Sequence, residues 1–233
     1  MTHPMERRLL IVIAATLLPL LPGEGGAVFS PLPAITCHCF TDRTYDPARP
    51  AAADPYFLAV AENAFFSRLF GVDRKGVVLK KQQGVPGDDL WIAYGVSLWS
   101  NTVAETLLSD RKGGKGWMEI LSARGIDPRR LGERTARELE REGRGERIAR
   151  GVVDDLIISR RLMDRDSLDE VRRGGTENRE VILLLVLSRR SGRSPAAILQ
   201  MVRRGERSWG GLLSAHGLDA AGIAREIDRL IPR

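Results

Sequence analysis

The stretch "GWMEILSARGIDPRRLGERTAREL" (residues 116–139) returns, degenerate but in register, as "SWGGLLSAHGLDAAGIAREIDRLI" (208–231). Trp117 falls on Trp209, Leu121-Ser122-Ala123 on Leu213-Ser214-Ala215, Gly125 on Gly217 and Asp127 on Asp219, at an offset of 92 residues. So many identities at one spacing mark an internal repeat, and the rest of the chain is read from it. Upstream, "LLSDRKGG" (107–114) lies over "LQMVRRGE" (199–206). After a one-residue gap "VDRKGVVLKKQQG" (72–84) falls over "MDRDSLDEVRRGG" (163–175), and "LWIAYGVSL" (90–98) over "VILLLVLSR" (181–189). The alignment predicts two degenerate tandem copies of about 91 residues, 54–145 and 146–233, packed about an approximate twofold axis. The charged, glycine-punctuated "ELEREGRGERIARG" joins them.

Each copy reads as helices. Asp54-Pro55 has the pattern of an N-cap followed by proline at the first helical position, and Asp127-Pro128 and Ser194-Pro195 repeat it. Phe57, Leu58, Ala61, Phe65 and Leu69 recur at helical spacing as far as Phe70, a short helix follows in "DRKGVVLKKQ", and a third, very apolar one starts near Asp88. No stretch sustains the alternation of a strand, so the predicted fold class is all-α. Phe65, Phe66, Phe70, Trp91, Tyr94 and Trp99 are expected in the core of the first copy. Asp88-Asp89 and Asp154-Asp155 are read as acidic pairs near helix starts, where the macrodipole favours them. Glu62 and Asn63 are expected at the wet edge of the aromatic helix.

The segment 117–139 also resembles the two-helix core of bacterial helix-turn-helix regulators, over about 24 residues. That resemblance implies a second helix presenting Arg129, Arg130, Arg134 and Arg137 to nucleic acid. The second copy carries Ala220, Ala221, Glu226 and Arg229 at the matching positions, which departs from what two DNA-reading units need. The plainer reading is an αα-hairpin, with Gly125 and Gly217 closing one helix and Asp127 and Asp219 capping the next.

The N-terminus points the same way. Arg7 and Arg8 precede an apolar run from Leu9 to about Leu21, and Gly25 and Ala27 form a small-x-small pair. This is the three-part order of a secretory signal peptide, 1–27, cleaved after Ala27. The run is shorter than the roughly 20 residues of a spanning helix, so the expectation is a periplasmic or secreted product with no transmembrane segment. An uncleaved anchor is the alternative. An exported chain does not meet chromosomal DNA.

Between signal and first copy lies an irregular lead segment, 28–53, holding both cysteines in "TCHCF". Cys37 and Cys39 flank His38, and outside the leader the other histidine is His216. Three readings stay open. Oxidising surroundings favour a Cys37–Cys39 disulfide, in a tight ring. Two thiolates with His38 would suit zinc or copper. A redox-active dithiol would need a lowered thiol pKa. His216 aligns with Arg124, which predicts a position at a helix end.

In the full chain the basic residues are almost all arginine, 31 against 5 lysines, and without residues 1–27 the net charge stays at +6. Such arginine can serve phosphate or nucleic acid, while 28 interleaved acidic residues agree with a coding bias. No phosphate loop and no H-E-x-x-H motif is present. The expected role is non-catalytic: an interaction or scaffold protein of the bacterial envelope, meeting another envelope protein or an anionic envelope surface, with no cofactor. A metal-binding or thiol-redox protein using Cys37, His38 and Cys39 is the alternative from another class.

Overall fold

Pro55 and Gly71 bracket the first helix, α1 (Asp54–Phe70): the proline sits in the first turn, and Gly71 ends the helix in the left-handed region (φ +65°), its N–H returning to the Ser67 carbonyl. The computed structural model describes residues 40–141 and 143–232. The chain continues through α2 (Arg74–Gln82), α3 (Gly87–Ser100), α4 (Ala104–Lys112), α5 (Trp117–Ala123), a 3-10 turn (Pro128–Leu131) and α6 (Glu133–Glu140). There follow α7 (Gly145–Ser159), α8 (Arg165–Arg173), α9 (Asn178–Ser191), α10 (Pro195–Arg203), α11 (Trp209–Ala215) and α12 (Ala220–Leu230). Among the described residues there is no strand, and the fold is all-α. No helix among them is long and apolar enough to cross a membrane.

Local chemistry sets most boundaries. Asp73 accepts the Gly76 N–H, Asp164 that of Ser167, Ser194 that of Ala197 and Asp219 that of Gly222, each capping the helix that follows it. Gly125 and Gly217 turn at φ +62° and +64° after α5 and α11. The exception is Asp54. It does not cap α1, as its sequence context suggests; its carboxylate accepts the Trp209 and Gly210 N–H groups at 3.1 and 2.7 Å. It thereby holds the start of α11, 155 residues downstream.

Helix lengths run 17, 9, 14, 9, 7 and 8 residues from α1 to α6, and 15, 9, 14, 9, 7 and 11 from α7 to α12. The two series do not pack as separate bodies. α1 docks chiefly on α12 and α9, whereas α7 docks on α6 and α3. Each series thus lends its first helix to the third and sixth helices of the other. Apolar residues on nearly all sides of α1, among them Phe57, Leu58, Ala61, Ala64, Phe65 and Leu69, are buried by this exchange. α9 is buried continuously from Val181 to Leu187 and lies at the centre. The α3–α7 crossing is close enough that a Cβ on Gly95 would meet Val152 Cγ1 at 2.5 Å.

The interior carries ion pairs as well as hydrocarbon. Glu62 and Asn63 are not at a wet edge: both are largely buried and both accept from Lys81 Nζ at 2.9 Å, while Trp91 Nε1 donates to Glu62 at 3.1 Å. Asp89 is also buried and holds Trp117 Nε1 (3.0 Å) and Arg111 (3.2 Å) instead of capping α3. Phe65, Phe66 and Trp91 are core, with Phe70 and Tyr94 packed against them, but Trp99 stands 47 % exposed in the last turn of α3.

Asp88 titrates abnormally. Burial first, then the charges of Glu146, Glu62 and Asp89, push its carboxyl up to about 6 against the pull of Lys81. A raised folded-state value means the native state gains stability as pH falls from about 6 towards the ordinary aspartate range, and carries an unfavourable charge above it. Asp88→Asn is therefore expected to stabilise the protein by about 1 kcal/mol at pH 7.5, after allowance for screening at this half-buried site. The gain should vanish by pH 4, which urea titrations at the two pH values would check.

Candidate anion-binding cleft

Two glycines bring α6 down onto α7. A Cβ on Gly151 would lie 2.9 Å from the Thr135 nitrogen and 3.0 Å from the Arg134 carbonyl carbon. Gly132, at φ +117°, swings the start of α6 over Asp155, and a Cβ there would meet the Asp155 carboxylate at 2.3 Å. That carboxylate accepts the Arg134 N–H (3.2 Å), the Thr135 N–H (2.8 Å) and the Thr135 hydroxyl (2.8 Å), capping α6 from a neighbouring helix. Asp154 and Asp155 accordingly lie deep within α7, not near its start.

Beside this crossing, α6, α7 and α8 enclose a cleft of about 200 Å³. α6 contributes Arg134 and Arg137, and α7 contributes Arg147, Arg150 and Asp154; each set follows the three- and four-residue spacing that shares a helix face. Arg172 of α8 completes it, with Glu138 at one edge. Asp154 forms the floor. It receives Arg172 Nη2 at 2.7 Å and Arg134 Nη1 at 3.3 Å. Burial pushes the Asp154 carboxyl up in spite of these two cations, and burial lowers the Arg172 guanidinium.

The arginines differ in how far they are engaged. Arg172 is fully committed, for it also donates to the Thr176 carbonyl (2.7 Å) and Asn178 Oδ1 (2.6 Å). Arg134, 15 % exposed, bridges Asp154 and Asp169, yet its buried Nε has no hydrogen-bond partner. Arg137 and Arg150 hold Glu133 and Glu146 one helical turn away, and Arg147 meets Glu138 at 3.4 Å. The pairs with Glu133 and Glu146 are exposed, and such pairs are worth about 0–1 kcal/mol and exchange readily.

The groove between α12, α1 and α2 is the counterpart by helix order. There Glu226 stands in place of Arg134 and Ala59 in place of Arg150, while Lys81 stands in place of Arg172 over Asn63 and Glu62. The arginine cleft occurs on one side of the molecule.

The four arginines of the helix-turn-helix reading do not share a helix. Arg129 and Arg130 lie on the 3-10 turn, with Arg129 held by Asp127 at 2.9 Å, and the Gly132 break separates them from Arg134 and Arg137 on α6. His216 occupies the C-cap position of α11, as its alignment with Arg124 suggests. Cys37, His38 and Cys39, and the segment 1–27 read above as a signal peptide, lie outside the described residues. Among the described residues no three His, Cys, Asp or Glu side chains converge as a metal-ligand set. Arg147, Arg150 and Arg172 escape a sequence reading centred on 117–139; their signal is the Arg147–Arg150–Gly151–Asp154 spacing on α7.

Compared with protein-family models, with characterised proteins and with solved structures, the chain matches none.

Proposed function

We propose that this is an exported, non-catalytic interaction protein of the bacterial envelope, built from two related six-helix copies and engaging an anionic partner through the α6–α7–α8 cleft. One observation carries the binding part: five arginines from three helices line one cleft, and three of them are held there only by exposed or poorly aligned carboxylates. Recurrent helix order and equivalent ion pairs support the two-copy reading. Lys81–Asn63 and Arg172–Asp154 occupy matching places, as do Arg111–Asp89 and Arg203–Glu180. In this reading the lead segment, with Cys37 and Cys39 joined as a local staple, is an addition outside both copies.

Two measurements test it. Intact mass of protein taken from the periplasm should show loss of residues 1–27 and a 2 Da deficit in the "TCHCF" peptide that reductant abolishes; a cytoplasmic product retaining the leader would remove the export argument. A panel of small and polymeric anions, scored by thermal shift, should contain at least one whose effect is lost in Arg147→Gln/Arg150→Gln. If no anion gives a cleft-dependent shift, the interaction reading fails.

A further inference from the structure

The geometry points to a phosphate monoester group as the anion this cleft takes, an inference that rests on the reading of the cleft as an anion site. Three features select the chemistry. First, the donors arrive from two helices, with Arg137 from α6 and Arg147 and Arg150 from α7, above the Arg134–Asp154–Arg172 floor. Forked guanidinium groups converging from several directions suit a tetrahedral oxyanion with three terminal oxygens, whereas a planar carboxylate offers two acceptors to one fork. Second, Asp154 already occupies the deep, carboxylate-shaped position between Arg134 and Arg172. What is left over is the guanidinium groups of Arg147 and Arg150, with Arg137 beside them. Third, the space of about 200 Å³ admits a phosphate group together with the first atoms of the body that carries it. Arg137 and Arg147 stand half-exposed at the mouth, so the rest of that body remains in solvent or in a lipid layer.

Binding exchanges partners and moves no backbone. Arg147 leaves Glu138, whose buried Oε2 it meets without hydrogen-bond geometry, and Arg150 leaves the exposed Glu146. Arg134 keeps Asp154 and Asp169. The Asp154–Arg172 pair stays as the floor, and its carboxylate keeps the arginine forks in place. The counterpart groove, with Glu226 and Ala59, has no such set and takes no phosphate.

The shared chemistry, a phosphate monoester, occurs both in soluble metabolites and in lipid head groups, and the test separates them. Full-length protein is titrated with glycerol phosphate by calorimetry and, separately, sedimented with vesicles of phosphatidylcholine containing phosphatidic acid. The expected result is saturable binding in at least one arm. It should weaken at least about tenfold in Arg147→Gln/Arg150→Gln, as loss of charge-assisted hydrogen bonds implies. It should be unchanged in Arg129→Gln/Arg130→Gln, which removes equal charge from the exposed 3-10 turn. The single variant Arg147→Gln, at a half-exposed position, should lose several-fold affinity with unaltered thermal unfolding, which guards against a folding artefact. Binding in the soluble arm identifies a metabolite, and binding confined to vesicles identifies a lipid. If acetate or citrate saturates the cleft with the same variant dependence and glycerol phosphate does not, the phosphate assignment falls and the anion-site reading stands. If neither phosphates nor carboxylates bind, both fall. Equal loss in the Arg129/Arg130 variant would place the binding elsewhere and overturn the assignment.

Discussion

Neither half of this protein should fold alone as a monomer. Cut between α6 and α7, the first half keeps α1 but loses α9 and α12, on which α1 rests, and the second keeps α7 but loses α3 and α6. Phe57, Leu58, Phe65 and Leu69 on α1 would then face water. At about 2 kcal/mol per large apolar side chain, their loss alone matches the roughly 5–15 kcal/mol by which a domain is stable. Each half by itself is expected to show reduced helicity and no cooperative unfolding transition. An equimolar mixture should recover both, because the exchanged surfaces are complete between the two pieces. Circular dichroism with sedimentation of each half and of the mixture would decide it. A monomeric half with a cooperative transition of its own would mean that the exchange of α1 and α7 is dispensable.

The second large effect lies in the Glu62–Lys81 pair. The two side chains are 13 % and 5 % exposed and meet at 2.9 Å, with Asn63 and Trp91 completing their hydrogen bonds. Burial raises the Glu62 carboxyl, but the charge and hydrogen bond of Lys81 and the Trp91 N–H outweigh it and hold the group below its ordinary range. Replacing Lys81 by methionine leaves a buried carboxylate without its cation. Truncating one partner of a buried pair costs about 3–5 kcal/mol, which for a chain of this size is a fall of about 10 °C in Tm. Adding Glu62→Gln to Lys81→Met should restore at least half of the loss, since the uncompensated charge goes with it.

The pH dependence of this pair has a definite sign. In the parent protein Glu62 has a lowered folded-state value, so its contribution is present above the ordinary glutamate range and is lost as pH falls through the lowered value. In Lys81→Met the carboxyl moves up instead, so the deficit is greatest near neutrality and shrinks on acidification. Urea unfolding of the parent, the single variant and the double variant at pH 7 and pH 4.5 tests both statements. A Lys81→Met protein within about 1 kcal/mol of the parent at pH 7 would show that water reaches the pair.

Much of the helical layout is legible one turn at a time. Asp73, Asp164, Ser194 and Asp219 each cap the helix next to them, and Gly71, Gly125 and Gly217 each end one, because these interactions span two to five residues. The burial of Glu62 and Asn63 is not legible in that way. Their cation comes from the next helix, and polar residues on an aromatic helix read as solvent-facing until Lys81 is seen to fold over them. The cleft was half visible: Arg134 and Arg137 stand out in the repeated segment, but their partners on α7 and α8 belong to what reads as the next copy.

What the sequence alone determined is an all-helical chain with its caps, its turns and two stretches that align at one spacing. These follow from residue-by-residue propensities and short hydrogen-bonded rings, which act before any distant contact forms. The tertiary structure decided where the apolar faces went. α1 and α7 could each have docked within their own series, and hydrophobic attraction, being non-directional, does not choose between grooves of similar composition. The choice rests on fit: Gly95 receiving Val152, Gly151 admitting α6, and Asp54 and Asp155 reaching the open N–H groups of α11 and α6. Those complementarities join residues 16 to 156 positions apart in the chain. By placing α6 against α7 and α8, they also create the arginine cleft.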